Sequence, residues 1–246
     1  MLALPVPSCP EWTVDDLVRH VAEVYLNKIE YMRTLREPEN WPPDLSGEAT
    51  LDLLDRSYAG LTAELAARKP DEPSLTWYGP EQTVGFWIRR MAQETVIHRV
   101  DAELAVGEPI AEIPEDLALD GVDEVLECFL RYASVTWTEY LKDSLPATVL
   151  PPVLVRAGER EWLVRLTPDG VELGPPGPDA SSAATVSGAT VSAATVSGAT
   201  VSAATVSAAP APMLLWLWRR ADEGVTRSGD PELVDRLSAL LKDVTQ

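Results

Sequence analysis

The sequence predicts an α+β fold, in which a helical bundle over residues 1–145 precedes a smaller mixed α/β domain over residues 146–246. Three observations support this division. Apolar residues recur at helical spacing in the first part, strand-like apolar runs separated by turn residues follow Pro146, and leucines share one face of the last helical segment. The chain is 246 residues long, which suits two modest hydrophobic cores because domains usually span about 100–200 residues.

Start and stop signals predict four helices in the first part. Thr13 and Asp16 form a capping box at the start of the first helix. Gly107 is expected just past the end of the third, and Pro114 at the first position of the fourth. The predicted helices cover residues 13–35, 48–68, 81–106 and 114–137.

The second part of the chain begins with a strand-like hydrophobic pattern in place of the helical one. Two apolar runs, residues 148–155 and 161–166, are predicted strands joined by a turn, and Asp169-Gly170 marks the next turn. Residues 213–220 and a segment opened by Asp230-Pro231 are predicted helices. These elements together predict an α/β layer.

Residues 184–208 repeat the motif Ala-Thr-Val-Ser followed by Gly or Ala. A period of five sends successive valines to opposite faces of a strand, so the repeat cannot keep one buried face. Most of it is predicted to be a flexible insertion without chemistry, with a short repetitive β-structure as the alternative. One or two copies remain available to pair as a strand.

Charge and composition exclude several function classes. Asp and Glu total 39 against 20 Lys and Arg, which gives a formal net charge of −19 that would repel a phosphate backbone. Nucleic acid is therefore not an expected partner. No apolar run approaches the roughly 20 residues that cross a bilayer, so no membrane association and a cytoplasmic location are expected. The two cysteines lack metal-knuckle spacing and are expected to be reduced.

The chain has only two histidines, and their placement predicts a metal site. His98 follows Glu94 by four residues, so the two side chains share one helix face. An ionised carboxylate on a core-facing stripe needs a compensating charge, which a divalent cation would supply. His20 lies beside Leu17 and Val24 at the edge of an apolar face and is expected to point inward. We therefore predict that His20, Glu94 and His98 bind a metal ion.

Two histidines and one carboxylate suit Zn²⁺ with its fourth position open, although Fe²⁺, Ni²⁺ and Mn²⁺ accept the same ligands. The open position favours catalysis over a structural role. Asp16 and Asp101 lie one turn from His20 and His98 and are candidates to accept the free imidazole N–H. The alternative for both is an ordinary capping or surface acid.

Two motifs resemble those of the mycothiol-dependent maleylpyruvate isomerase family. Residues 8–20, SCPEWTVDDLVRH, resemble its opening motif, which usually has Gly where Glu11 stands, and residues 89–103, RRMAQETVIHRVDAE, resemble its second signature. With residues 214–220 the likeness spans nearly the whole chain outside the repeat. It implies a DinB/YfiT-like four-helix bundle followed by a sterol-carrier-like domain, with His20, Glu94 and His98 as the metal ligands.

The beginning of the chain departs from this pattern. Family members usually carry a helix before the first motif, whereas this chain reaches Cys9 almost at once. Two alternatives stay open: the first bundle helix is missing, or the start of the chain is misassigned.

The resemblance implies a metal-dependent enzyme that uses mycothiol as a thiol cosubstrate. A metal-bound thiolate would act as nucleophile on a small electrophile, in either an isomerase or an S-transferase reaction. Arg219 or Arg220 is a candidate to bind an anionic substrate, against the alternative of a solvated cation at a helix C-terminus. The rival hypothesis is a non-catalytic module of the same family that binds a metal or a small molecule.

Overall fold

The structure is a computed structural model that describes residues 1–141, 143–175 and 202–245. It divides into two compact units, Met1–Glu112 and Ile113–Gln246. The first unit is mainly helical and the second contains a sheet, so the predicted α+β class is confirmed. The contacts divide the chain after Glu112 rather than after residue 145; the assignment of functional domains stays a prediction.

The first unit opens with a short hairpin and continues into three long helices. Strands β1 (Pro5–Val6) and β2 (Cys9–Thr13) pair antiparallel. The helices that follow are α1 (Val14–Thr34), α2 (Thr50–Ala66) and α3 (Val84–Val106). The sequence analysis had assigned no structure to the residues before Thr13.

The predicted signals at the helix ends act as expected. Thr13 and Asp16 form the capping box of α1 through both of their reciprocal hydrogen bonds. Gly107 ends α3 in the left-handed region at φ 74°, a conformation that glycine adopts without steric cost. These caps fix where α1 begins and where α3 ends. The residues of the candidate site lie on these two helices.

Helix α1 packs against both α2 and α3, and the hairpin packs over α1 and α3. Val6, Val14 and Leu17 form a buried cluster that Cys9 and Trp12 partly cover. Burial of these apolar side chains holds the N-terminal residues against the helices, since each removes hydrophobic surface from water.

In the second unit, the predicted fourth helix begins at residue 115 and changes geometry along its length. Helix α4 (Glu115–Glu124) passes into a π-helical segment, Val125–Tyr132, and then into α5 (Ala133–Thr136) and α6 (Thr138–Leu141). The sequence analysis placed this helix in the N-terminal bundle, whereas α4 packs against α7 (Pro210–Leu217) of the second unit.

A five-stranded sheet organises the second unit, in the order β5-β4-β3-β6-β7. Its strands are β3 (Val153–Ala157), β4 (Arg160–Thr167), β5 (Gly170–Gly174), β6 (Ala204–Ala208) and β7 (Thr226–Gly229). Strands β3 and β6 are parallel, and every other pairing is antiparallel. The final helix α8 (Pro231–Val244) starts at the predicted cap Asp230 and buries its leucine face.

Strand β6 is the last copy of the five-residue repeat. Ala204 and Val206 are buried, and the strand lies between β3 and β7. A single copy alternates its side chains as any strand does, so the odd period matters only across several copies. The expectation that one copy pairs as a strand is confirmed, while residues 184–201 lie outside the described part of the chain.

None of the helices in the described ranges combines the length and the apolar character needed to cross a membrane.

Candidate metal centre

The three predicted ligands converge in the first unit. His20 lies on α1, and Glu94 and His98 lie one turn apart on α3. Glu94 Oε1 is 3.3 Å from His20 Nε2 and 3.2 Å from His98 Nε2. One ligand atom from each residue lies within 4.8 Å of the other two.

These separations fit a tetrahedral cation. Two ligand atoms that each lie about 2.0–2.1 Å from a tetrahedral Zn²⁺ are separated by about 3.3 Å. The two distances from Glu94 Oε1 match this value, and the two imidazole nitrogens lie within 4.8 Å of each other. The residues present therefore fit a divalent metal, and metal binding stays a prediction.

Asp101 is the hydrogen-bond partner of Nδ1, the second nitrogen of the His98 ring. Its Oδ2 lies 2.9 Å from His98 Nδ1, and its Oδ1 accepts a hydrogen bond of 2.5 Å from Ser8 Oγ. A carboxylate can only accept here, so Nδ1 carries the proton and donates it. Nε2 then faces Glu94, and in the neutral tautomer it offers a lone pair to a metal. Asp101 thus takes the role that the sequence analysis gave it.

Asp16 does not take the matching role at His20. Its carboxylate accepts from the backbone N–H and the hydroxyl of Thr13, at 2.8 and 2.5 Å. The capping alternative is therefore correct for Asp16, because one carboxylate that closes a capping box faces the helix start and not the imidazole one turn later.

Arg90 is a site residue that the sequence analysis missed. It is buried, and its guanidinium donates to Glu94 Oε2. That contact occupies one carboxylate oxygen and leaves Oε1 toward both imidazoles. The i, i+4 spacing of Arg90 and Glu94 could have indicated the pair, since such residues meet on one helix face.

The electrostatics of the metal-free site follow from these contacts. Burial raises the pKa of Glu94, but Arg90 and the two imidazoles outweigh it and hold that pKa well below its usual range. Burial lowers the pKa of His98, but the hydrogen bonds to Asp101 and Glu94 outweigh it and raise the pKa to about 9. A protonated His98 therefore compensates the carboxylates when no metal is bound.

The site opens on its His20 side. The His20 side chain is 36% exposed, against 11% for Glu94 and 13% for His98. The Trp12 ring of strand β2 lies 4.8 Å from the His20 ring, centroid to centroid. A ligand that completes the metal coordination would reach it past these two rings.

Arg219 and Arg220, the two candidates for binding an anionic substrate, lie in the second unit. Arg219 is exposed and has a positive φ of 61°. Arg220 donates to the carbonyl of Trp218 at 2.7 Å, and its guanidinium lies 5.7 Å from the centroid of that ring. A role of either arginine in substrate binding stays a prediction.

The fold and the site define a class: a helical domain with two histidines and one carboxylate directed at a common point, followed by a sheet-containing unit. Residues 1–103 match the family described as mycothiol maleylpyruvate isomerase N-terminal domain. This part of the chain therefore belongs to that domain family, as the two motifs indicated.

The solved structures give a consistent result for the fold. The crystal structure of the mycothiol-dependent maleylpyruvate isomerase aligns with a TM-score of 0.53 and 15% sequence identity, over 93% of this chain and 83% of that chain. A comparison with curated protein sequences gives no match. The likeness supports a shared two-part α+β fold.

Proposed function

We propose that this protein is a metal-dependent enzyme that uses mycothiol as cosubstrate and acts on a small electrophile. The observation that carries the proposal is the position of Glu94 Oε1, 3.2–3.3 Å from one nitrogen of each imidazole. The match of residues 1–103 to the family's N-terminal domain supports mycothiol as the thiol. We also propose a cytoplasmic location, because the cytosol keeps thiols such as this cosubstrate reduced.

His20, Glu94 and His98 would hold the ion, with Zn²⁺ as the first candidate. When bound, such an ion lowers the pKa of a thiol so that the thiolate is available at neutral pH. Asp101 fixes the His98 ring in the tautomer whose Nε2 is free, and Arg90 fixes the Glu94 carboxylate. Both supporting residues limit rearrangement of the ligands.

The thiolate allows two reactions. In the isomerase reaction, sulfur adds to one carbon of a cis C=C bond that is conjugated to a carbonyl. The π electrons of the C=C bond shift toward the carbonyl, and the carbonyl π electrons move onto its oxygen. The former double bond is now a C–C single bond and rotates. The electrons on the carbonyl oxygen then re-form the C=C bond as the C–S bond breaks, which gives the trans isomer and the unchanged thiolate. In the transferase reaction the sulfur stays attached to the electrophile and a leaving group departs. The description of the matched family, mycothiol maleylpyruvate isomerase N-terminal domain, favours the first reaction.

The first test is the metal content of the full chain, purified without a histidine tag and measured by mass spectrometry. We expect close to one zinc or other divalent ion per chain and its loss in His98→Ala. Arg99→Ala is the matched control, because Arg99 is the next residue on α3 and its guanidinium donates to Ala111 O. Protein that stays folded but takes up no added Zn²⁺ would sink the proposal.

The second test is turnover, and it separates the enzyme from a non-catalytic binding module. The metal-loaded chain is incubated with mycothiol and a cis-unsaturated keto acid, and the loss of the cis isomer and of free thiol is followed. Catalytic isomerisation with thiol conserved identifies the isomerase, and stoichiometric loss of thiol identifies the transferase. Metal binding without either change would favour the binding module.

A further inference from the structure

The two histidines of the candidate site differ in what orients their rings. The second nitrogen of the His98 ring, Nδ1, donates to Asp101 at 2.9 Å. His20 uses Nε2 toward Glu94, and within the described ranges no side chain or backbone group forms a hydrogen bond with its Nδ1. A metal-ligating histidine is commonly oriented by a partner on its other nitrogen. No protein group orients the His20 ring in this way.

The His20 ring instead contacts two other rings. The Trp12 ring lies 4.8 Å from it, centroid to centroid, with the planes tilted by 45°. The His98 ring lies 5.1 Å away in an edge-on arrangement at 79°. Both separations lie within the range of about 4.5–7 Å that attractive ring pairs adopt. An imidazole that binds a divalent cation becomes more positive, and the π-system of an indole attracts positive charge.

Trp12 is itself fixed by the way helix α1 begins. It directly precedes the cap residue Thr13, and it packs against the buried apolar cluster that includes Leu17. Leu17 is the fourth residue of α1, so an apolar residue before the cap that packs beside it has the arrangement of a hydrophobic staple. A staple fixes the direction in which the chain enters the helix. The indole is therefore held in place on the helix that carries His20.

We propose that Trp12 is a positioning residue of the metal centre, whose indole holds the His20 imidazole with Nε2 directed at the ion. This inference rests on the proposed function, because the ion is the one that His20, Glu94 and His98 are proposed to bind. Trp12 takes at His20 the part that Asp101 takes at His98. Ring packing thus orients one histidine and a hydrogen bond orients the other.

The test separates this role from that of a staple alone. Trp12→Leu keeps an apolar side chain for the staple and removes the ring, whereas Trp12→Phe keeps a ring. The zinc affinity of the full chain is measured by competition with a chromogenic chelator. Trp41→Leu is the matched control, since Trp41 is a partly exposed indole of the same unit that contacts no imidazole in the described residues. Circular dichroism checks the fold of each variant, and Trp12→Met replaces Trp12→Leu if the latter fails to fold.

A double-mutant cycle shows whether Trp12 acts through His20. Trp12→Leu is made in the wild type and in His20→Ala, and the change in zinc affinity is compared between the two backgrounds with a chelator of matching affinity. Two residues that act through one contact give effects that do not add. We therefore expect Trp12→Leu to weaken zinc binding in the wild type and to have no further effect in His20→Ala.

We expect zinc affinity to fall by about two- to tenfold in Trp12→Leu, as loss of an attractive ring pair predicts, and to be largely kept in Trp12→Phe. Trp41→Leu should behave as the wild type. Equal zinc affinity in the wild type and Trp12→Leu, equal losses in Trp12→Leu and Trp12→Phe, or the same loss in the His20→Ala background would overturn the inference alone. A wild type that takes up no zinc would overturn the proposed function and this inference with it.

Discussion

Asp101 and His98 are joined by a hydrogen bond of 2.9 Å between Oδ2 and Nδ1, one turn apart on α3. The Asp101 side chain is fully buried, and Ser8 donates to its other oxygen at 2.5 Å. The N-terminal hairpin region thus contacts the candidate site twice, through Ser8 on Asp101 and through the Trp12 ring beside His20. Five predictions follow from this arrangement and from the sheet of the second unit.

Replacement of Asp101 by Asn should weaken zinc binding by about 10- to 100-fold, because the carboxylate that orients His98 is lost. Competition with a chromogenic chelator measures the affinity. Asp16→Asn is the control, since Asp16 caps α1 and makes no contact with an imidazole in the described residues. Unchanged zinc affinity in Asp101→Asn would show that the ring is oriented by other contacts.

Replacement of Ser8 by Ala should lower the free energy of unfolding of the metal-free chain by about 1–3 kcal/mol, because a buried carboxylate loses a hydrogen-bond donor. Denaturant unfolding followed by circular dichroism measures the change. Ser46→Ala is the control, because Ser46 donates to Asp44 on the exposed surface. Equal losses in the two variants would contradict the special position of Ser8.

Zinc affinity should rise with pH by about tenfold per unit between pH 6 and 8, since zinc must displace the proton of His98, whose pKa is about 9 in the metal-free site. Zinc uptake at pH 7.5 should release about one proton from this imidazole. Calorimetry in buffers of different ionisation enthalpy detects the release. An affinity that is flat over this range would mean that His98 is already neutral.

The same group links pH to the stability of the metal-free chain. The folded-state pKa of about 9 exceeds the ordinary value of 6.5, so the protonated imidazole stabilises the fold fully below pH 6.5. This contribution is lost as the pH rises through 9. We therefore expect His98→Gln, compared with the wild type by thermal unfolding, to reduce the loss of stability between pH 6.5 and 9.

Replacement of Gly229 by Ala should destabilise the second unit by about 2 kcal/mol or more. Gly229 has φ 83°, and an added Cβ would lie 2.3 Å from the carbonyl oxygen of Ala203. Gly174→Ala is the control, because a Cβ there meets nothing within 4 Å. Thermal unfolding of both variants measures the difference, and similar melting temperatures would contradict the prediction.

Local signals predicted the parts of the site that lie on single helices. Thr13 and Asp16 are three residues apart and form the capping box, and Glu94 and His98 are four apart and share a face. The inward direction of His20 followed from its place beside an apolar stripe. Each of these relations depends on helical periodicity alone, which the sequence carries directly.

The sequence analysis missed the residues that depend on distant pairing. Ser8 reaches Asp101 across 93 positions, and β7 joins the sheet beside β6 although its four residues are all exposed. Such contacts depend on how helices and strands pack, and no local periodicity specifies that packing.

The repeat has a consequence for how the gene can vary. Residues 199–203 and 204–208 have the same sequence, Ala-Thr-Val-Ser-Ala, and the second copy is the inner strand β6. Deletion or duplication of one such unit would leave an identical five-residue segment before Ala209 and beside β3. Changes in copy number by whole units therefore preserve the side chains that the sheet buries, so length variation in this tract is compatible with one conserved core.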